Sequence, residues 1–270
     1  MSLISFNTFG GSSSASSGLE KTGQTIRNAF AQLSSGSRFS SASVDSAGLA
    51  IAAELASNLA SISQGSRNAS DAASALSTAD GALEQVSNIT LRLQEIAVTS
   101  ANGVYSDQQR SALQNEYSAL TTEIQRISET TTFNGKQLLD GSSLSAELGG
   151  NSINVGGINL SELAQSVASQ DVSTAAGAQD AIAALQSFSD NLTTQKGSSV
   201  DAGLARLGSA QDTLNSAKAV TAEALSRVSD TDFASAISDL TRAKVLQKYQ
   251  ISALSSMNQL QASLIKDLSG

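Results

Sequence analysis

The longest regular pattern in the chain lies between Leu49 and Ala101. Small and apolar residues recur there at alternating steps of three and four, a mean spacing of 3.5 residues. The series is Ala72, Leu76, Ala79, Leu83, Val86, Leu93 and Ala97, with Thr90 as its one polar member and Ile89 and Ile96 beside it. This spacing predicts a helix of about 50 residues, about 75 Å long, with one coiled-coil-like face. Asn102-Gly103 is expected to end the helix.

A second helix is predicted directly after this ending. Ser106 or Asp107 can cap its first turn, and an apolar stripe then recurs at steps of four and three. The stripe consists of Leu113, Tyr117, Leu120, Ile124 and Ile127. Because the connection is so short, the two helices are expected to pack antiparallel.

The pattern changes from helical to alternating between residues 141 and 160. Ile153, Val155, Ile158 and Leu160 flank the pair Gly156-Gly157, which is typical of a two-residue hairpin turn. We therefore predict a β-hairpin over 150–161, with Val155 opposite Ile158 and Ile153 opposite Leu160. An isolated hairpin is marginally stable, so this one should lie on the helices.

Helical periodicity returns at about Ala178 and continues to Leu268. Beyond Asp232 the apolar residues occupy several sides of the helix, and the first 40 residues carry a further apolar stripe. A helix that is apolar on several sides needs neighbours on several sides. We therefore expect both ends of the chain to become fully ordered only when they pack against other subunits.

The composition supports long helices and removes much chemistry. The 270 residues include no Pro, Cys, His or Trp, and aromatic residues make up 4%. Proline breaks helix interiors, so its absence permits very long helices. Without His or Cys the chain has no Cys/His zinc site, thiol nucleophile or imidazole base. No pair of carboxylates stands out as an acid–base couple, so neither catalysis nor a cofactor is expected.

The net charge of −8 is concentrated in the middle of the chain. Residues 61–230 hold 9 basic and 18 acidic residues, whereas residues 1–60 hold 3 of each. Clustered acidic charge disfavours nucleic acid and anionic membrane surfaces as partners. Nearly neutral ends favour burial in an assembly. No segment reaches the roughly 18 uninterrupted apolar residues of a membrane helix, and we expect no cleaved signal peptide.

Several segments, in order along the chain, resemble bacterial flagellins. LSSGSRFSSASVDSAGLAIA (33–52) is similar to the N-terminal flagellin signature, although one acid, Asp45, stands where the family commonly has two. ADGALEQVSNITLRLQEIAVTSAN (79–102) and the stretch 107–128 resemble the two central flagellin helices. TTFNGKQLLDG (131–141) and SRVSDTDFASAISDLTRAKVLQK (226–248) resemble the entry into the hairpin and the C-terminal motif.

The resemblance implies a mainly α fold: an elongated, long antiparallel helical bundle or coiled coil with a small β-hairpin. Segments 1–45 and 230–270 would form the coiled coil of the inner core. Segments 46–177 and 178–229 would form the second shell, and the short stretch 161–177 leaves almost no room for a variable outer domain. The implied function is a structural subunit that self-assembles into the extracellular flagellar filament, the propeller for swimming.

The resemblance also implies contact residues and partners. Arg92, Leu93, Glu95, Ile96 and Glu116 match the flagellin surface that packs neighbouring subunits and that the flagellin-sensing Toll-like receptor recognises. The residues expected to pack the inner core are Leu19, Ile26, Phe30, Leu33, Ile251, Leu254, Leu264 and Leu268. Further implied partners are flagellar junction and cap proteins and a cytoplasmic export chaperone on the C-terminal helix. Export would follow the flagellar type III pathway.

Two alternatives stay open at the level of sequence. A hook–filament junction protein shares the terminal architecture, but such proteins typically carry a proline in the segment that matches 44–49, and this chain has none. A flagellin-like cell-surface binding protein is the other alternative. A metallopeptidase built on the flagellin frame is disfavoured because the chain has no His.

Overall fold

The computed structural model describes residues 2–39 and 45–269, and the chain divides into two compact units. The terminal unit contains Met1–Ser57 and Thr221–Gly270, and the central unit contains Asn58–Val220. Seven helices are described: α1 (Ser2–Ser35), α2 (Ser46–Ala101), α3 (Asp107–Thr130), α4 (Leu160–Ala168), α5 (Ala175–Gln195), α6 (Ala202–Ser229) and α7 (Phe233–Ser269). A π-helical turn, Lys196–Asp201, joins α5 to α6. Four short strands are β1 (Thr132–Phe133), β2 (Lys136–Gln137), β3 (Leu144–Glu147) and β4 (Ser152–Val155).

The terminal unit is an antiparallel pair of helices, α1 and α7, that meet along a narrow seam. The fully buried members of the seam are Thr22, Ala29, Ala236 and Ala243, and half-buried Leu19, Ile26, Leu33, Leu240 and Leu254 flank them. Both series follow the alternating steps of three and four that coiled coils use. Because the buried residues are small, the seam holds the two helices together with little apolar burial per turn.

The ends of the paired helices are fixed by backbone and capping contacts. Arg38 N–H donates to the Ser229 carbonyl at 2.7 Å, and Thr231 N–H donates to the Gly36 carbonyl at 3.0 Å. Asp45, the acid that the signature retains, accepts from Gly48 N–H at 2.9 Å and pairs with Arg38 at 3.3 Å. A carboxylate that accepts from the third residue of a helix stabilises its first turn. Asp45 therefore caps α2.

The central unit is built on antiparallel helix pairs. Arg92 and Arg110 connect α2 to α3, and Gln211 Nε2 of α6 donates to Ser66 Oγ of α2 at 2.5 Å. Every member of the α2 stripe predicted from the sequence is buried, including Thr90 at 2% exposure. Thr90 keeps its hydroxyl satisfied by donating to the Val86 carbonyl at 2.7 Å. The predicted helix and its core-facing side are thus confirmed.

The predicted turn and register of the hairpin are wrong. β3 pairs with β4, Leu144 lies opposite Val155, and Ala146 lies opposite Ile153. The turn is made at Gly149 and Gly150, which take φ of +77° and +122°. These positive values favour glycine. The pair at Gly156-Gly157 instead lets the chain run close to Gly141, with no room for a Cβ at Gly157.

Two other short elements in this region were not predicted. β1 and β2 form a second, tight hairpin through Asn134 (φ +49°) and Gly135 (φ +78°), a residue pair that favours such turns. α4 begins at Leu160, inside the predicted hairpin, and Asn159 caps it by accepting from Glu162 N–H at 3.1 Å. Ile158 and Leu160 are buried as predicted, but in the approach to this helix and not in a strand.

Candidate subunit-contact surfaces

A charged cluster lies on the surface of the central unit, where α2 and α3 run side by side. Arg92 donates through Nε and Nη2 to Glu116 Oε1, at 3.0 and 2.7 Å, and through Nη1 to Glu95 Oε2 at 2.9 Å. The hydrogen bonds that Arg92 donates to Glu116 and, second, to Glu95 raise the pKa of Arg92 above its ordinary value. All three side chains are at least 44% exposed. The arrangement thus holds a fixed guanidinium–carboxylate set at the surface, which we call the Arg92 cluster.

Leu93 and Ile96 do not belong to this surface. Their exposed fractions are 0% and 2%, and both lie in the core between α2 and α3. The expectation that Leu93 and Ile96 lie on the contact surface with Arg92, Glu95 and Glu116 is therefore wrong for the folded chain. The apolar side chains of α2 that do reach the surface near Arg92 are Leu91, 56% exposed, and Val98, 59% exposed. They lie one turn to either side of Glu95 on the same helix face.

A buried polar network behind the α2–α3 corner escaped the sequence analysis. Arg110 is buried and donates to the carbonyls of Ser100 and Asn102, so it closes the C-terminal end of α2. Ser100 Oγ donates to the Val172 carbonyl at 2.5 Å, and Val172 N–H donates to Gln114 Oε1 at 2.6 Å. These bonds fix the segment between α4 and α5 to the helix pair. The available signal was an arginine four residues after the capping serine Ser106, at the start of α3 and within reach of the end of α2, since basic side chains favour helix C-termini.

Tyr117 fastens α4 to the same core and predicts a pH response. Its hydroxyl donates to the Val167 carbonyl at 3.1 Å, and burial raises the pKa of Tyr117 to about 12. Between pH 10 and 12 the unfolded chain therefore releases this proton while the folded chain keeps it, and the free energy of unfolding falls as pH rises. Tyr117→Phe should lose about 1 kcal/mol at pH 8 and show a smaller further loss up to pH 11.

Urea unfolding at pH 8, 10 and 11, followed by circular dichroism, checks the prediction for Tyr117. The wild-type protein is the control, because all other titrating groups are common to both chains. Parallel decreases in the two proteins over this range would contradict the assignment of the pH response to Tyr117.

The terminal unit exposes large apolar side chains beside its seam. They are Phe30 on α1 and Phe233, Ile237, Val245, Leu246, Tyr249, Ile251 and Leu260 on α7, with exposed fractions between 47% and 71%. We call this set the coiled-coil flank. Of the residues predicted to pack the inner core, Leu19, Ile26, Leu33 and Leu254 lie on the seam, whereas Phe30 and Ile251 belong to the flank. The side chains of Leu264 and Leu268 lie outside the described residues.

Two kinds of site are not found in the described part of the chain. Within residues 2–39 and 45–269, no three His, Cys, Asp or Glu side chains are grouped so that they could hold a metal ion. Over the same residues, no helix combines the length and the apolar character needed to span a membrane.

Comparisons with known proteins agree with the architecture. The family model for the bacterial flagellin N-terminal helical region matches residues 6–144, and the model for the C-terminal helical region matches residues 182–268. The flagellin of Halalkalibacterium halodurans is 32% identical over 247 residues, which cover 86% of this chain and 88% of that protein. The flagellin of Listeria innocua is 29% identical over 262 residues, 89% and 91% of the two chains.

A solved structure shares the fold at low identity. It is a putative flagellar hook-associated protein from Vibrio parahaemolyticus, with a TM-score of 0.58 and 14% identity, and the match covers 69% of this chain and 100% of that one. The chain aligns with the two flagellins over nearly their whole lengths. This agrees with a short flagellin that lacks a variable domain. Both flagellin family models and these relatives place the chain in one family. The chain belongs to the bacterial flagellins, the structural subunits of the flagellar filament.

Proposed function

We propose that the chain is a minimal filament subunit that polymerises mainly through its terminal unit. The observation that carries the proposal is the coiled-coil flank, eight large apolar side chains that the folded chain leaves about half or more exposed. Large apolar side chains grouped on the surface of a folded element mark an interaction site. Burying one such side chain contributes roughly 1.5–3 kcal/mol. The seam between α1 and α7 leaves the flank exposed, so the flank contributes this free energy only when other subunits bury it.

The arrangement of the flank favours a polymer over a closed pair. Ile237 and Ile251 lie on one side of the α7 seam, Leu246 and Leu260 lie on the other, and Tyr249 lies further round the helix. One partner cannot cover all of these sides at once. Contacts between different surfaces of identical subunits generate helical filaments when they do not close into a ring. Several neighbouring copies are thus required around each α7.

The Arg92 cluster is proposed as a contact surface of the central unit. Arg92 and Glu95 lie between Leu91 and Val98, so an apolar contact can form beside directed charges. A neighbouring subunit is the first occupant that we propose, and the flagellin-sensing Toll-like receptor is a second one for the same face. Charged groups that are already paired contribute specificity more than affinity.

The remaining partners follow from the flank. A chain with these exposed side chains needs cover before assembly, and we propose that a cytoplasmic export chaperone supplies it on α7. Junction and cap proteins would meet the same helices at the two ends of the filament, after export through the flagellar type III pathway. No catalytic role is proposed for the chain, which acts through its contacts alone.

Growth of filaments from purified monomer tests this function. Monomer added to short filament seeds should extend them to micrometre length, visible by electron microscopy. The alternative function is that of a hook–filament junction protein. Such a protein would add one layer to the end of a seed and stop. Failure of seeded growth by folded monomer with intact ends would contradict the proposed function.

A further inference from the structure

The C-terminal helix of the central unit contains one turn of a different kind. From Ala175 to Ser229 the backbone stays helical, but Lys196–Asp201 forms a π-helix, whose hydrogen bonds join residues five apart. A single π turn holds one residue more than an α turn of the same length. Such turns are rare, and their presence needs a local cause.

The cause is visible in the positions of the buried residues. In α5 the stripe recurs at alternating steps of three and four: Ala178, Ala181, Leu185, Phe188 and Leu192. If this spacing continued, the next members would fall at positions 195, 199, 202, 206, 209 and 213. Gln195 is half-buried and Ser199 is buried, but the residues at 202, 206, 209 and 213 are exposed.

In α6 the buried face lies one residue later. Val200 near the end of the π turn is buried, as are Gly203 and Leu207 of α6, and Ala210 and Leu214 are half-buried. Each of these residues lies one position after the one expected from the α5 spacing. The later series again recurs at steps of three and four. The sequence therefore carries one residue in excess of the heptad spacing between Leu192 and Gly203. In an unbroken α-helix this residue would turn the later stripe by about 100°.

The π turn lies at the excess residue and is held there on both sides. At its first residue, Lys196 Nζ pairs with Asp80 of α2, and both side chains are less than a third exposed. Within it, Ser199 and Val200 are buried, and Ser199 approaches Gly156 beside the end of β4. After it, Gly203 lies so close to Leu76 and Val155 that a Cβ would come within 2.9 Å of each. The core packing is thus intact on either side of the turn.

We propose that the π turn at Lys196–Asp201 is a register joint, which takes up one surplus residue so that α5 and α6 present their buried faces to a single core. The contacts of the turn then come from Lys196, Ser199 and Val200, and the exposed Gly197 contributes only its length. One residue of the turn is then dispensable, whereas one residue elsewhere in the same helix is not. The inference concerns the folded monomer and does not depend on polymerisation.

Two single-residue deletions test the register joint. Gly197 lies in the π turn and Gly208 in α6, both are exposed, and no atom lies within 4 Å of the place a Cβ would take at either one. Both deletions remove a glycine from a helical backbone, so the gain in helix propensity is the same in the two variants. The deletions differ in their effect on the stripe. Deleting Gly197 restores unbroken heptads, and deleting Gly208 rotates everything after it by about 100°.

The expected result is a clear separation of the two variants. By thermal unfolding followed at 222 nm, the protein without Gly197 should melt within about 3 °C of wild type or above it, because the large apolar side chains of the stripe, Val200 included, keep their places in the core. The protein without Gly208 should lose about 10 °C or more, or fail to fold, because Leu214 and the following stripe leave the core. Equal losses in both variants, or equal tolerance of both, would overturn the proposal.

Discussion

Phe30→Asp and Ile251→Asp are each expected to abolish filament growth while the monomer keeps its melting temperature within about 2 °C of wild type. Both side chains lie off the seam between α1 and α7, with 64% and 53% of their surface exposed. In the monomer a carboxylate at either position stays in water. In the filament it would replace a buried apolar group and lose its hydration without a partner. The critical concentration for assembly should rise at least about 100-fold, which corresponds to roughly 3 kcal/mol.

Conservative variants at the same two positions provide the control. Phe30→Leu and Ile251→Met keep the apolar character and most of the volume, so seeds should still be extended. Growth rates measured by light scattering and filament lengths measured by electron microscopy compare the four variants. Normal growth of either Asp variant would show that its position faces solvent in the filament and would contradict the role of the flank.

Gly65→Ala should destabilise the central unit although alanine is the better helix former. A Cβ at Gly65, in α2, would lie 2.6 Å from the Leu148 carbonyl carbon and 2.9 Å from Gly149 N. The turn of the β3–β4 hairpin is therefore seated on the bare backbone of α2, where Asn68 Nδ2 also donates to the Glu147 carbonyl at 2.8 Å. Relieving the overlap requires the hairpin to move, at a cost of about 1–3 kcal/mol.

Gly81→Ala in the same helix is the matched control. No atom lies within 4 Å of a Cβ at Gly81, and the residue is exposed. This substitution should stabilise the helix by about 0.5–1 kcal/mol, raising the melting temperature by about 2 °C, whereas Gly65→Ala should lower it by about 5 °C. Shifts of the same sign in both variants would contradict the close packing of the hairpin on α2.

The helices could be predicted because their signals are local. The α2 stripe repeats over seven turns, and Ser106, one of the two caps predicted for α3, does cap that helix. The stripe also predicted the burial of Leu93 correctly. The resemblance to a flagellin surface placed Leu93 among the exposed contacts, and there the periodicity was the better guide, since it reports directly which side of a helix faces the core.

The hairpin could not be predicted in the same way. Two glycine pairs, 149–150 and 156–157, were both compatible with a tight turn. The choice depends on tertiary contacts: the first pair rests on Gly65, and Gly157 passes against the backbone of Gly141. Strand pairing is decided by such neighbours more than by local preference. The π turn, in contrast, left a readable signal, a one-residue shift of the stripe between Leu192 and Val200.

Hydroxyl-radical footprinting of monomer and filament measures whether the coiled-coil flank becomes buried on assembly. Phe30, Phe233 and Tyr249 are more than half exposed in the folded chain and should be oxidised readily in the monomer. Phe188, which is 1% exposed, provides the unreactive reference in both samples. In filaments we expect the oxidation of the three flank residues to fall to the level of Phe188. If Phe30 and Tyr249 are oxidised as fast in filaments as in monomer, the flank stays exposed and does not form the subunit contacts.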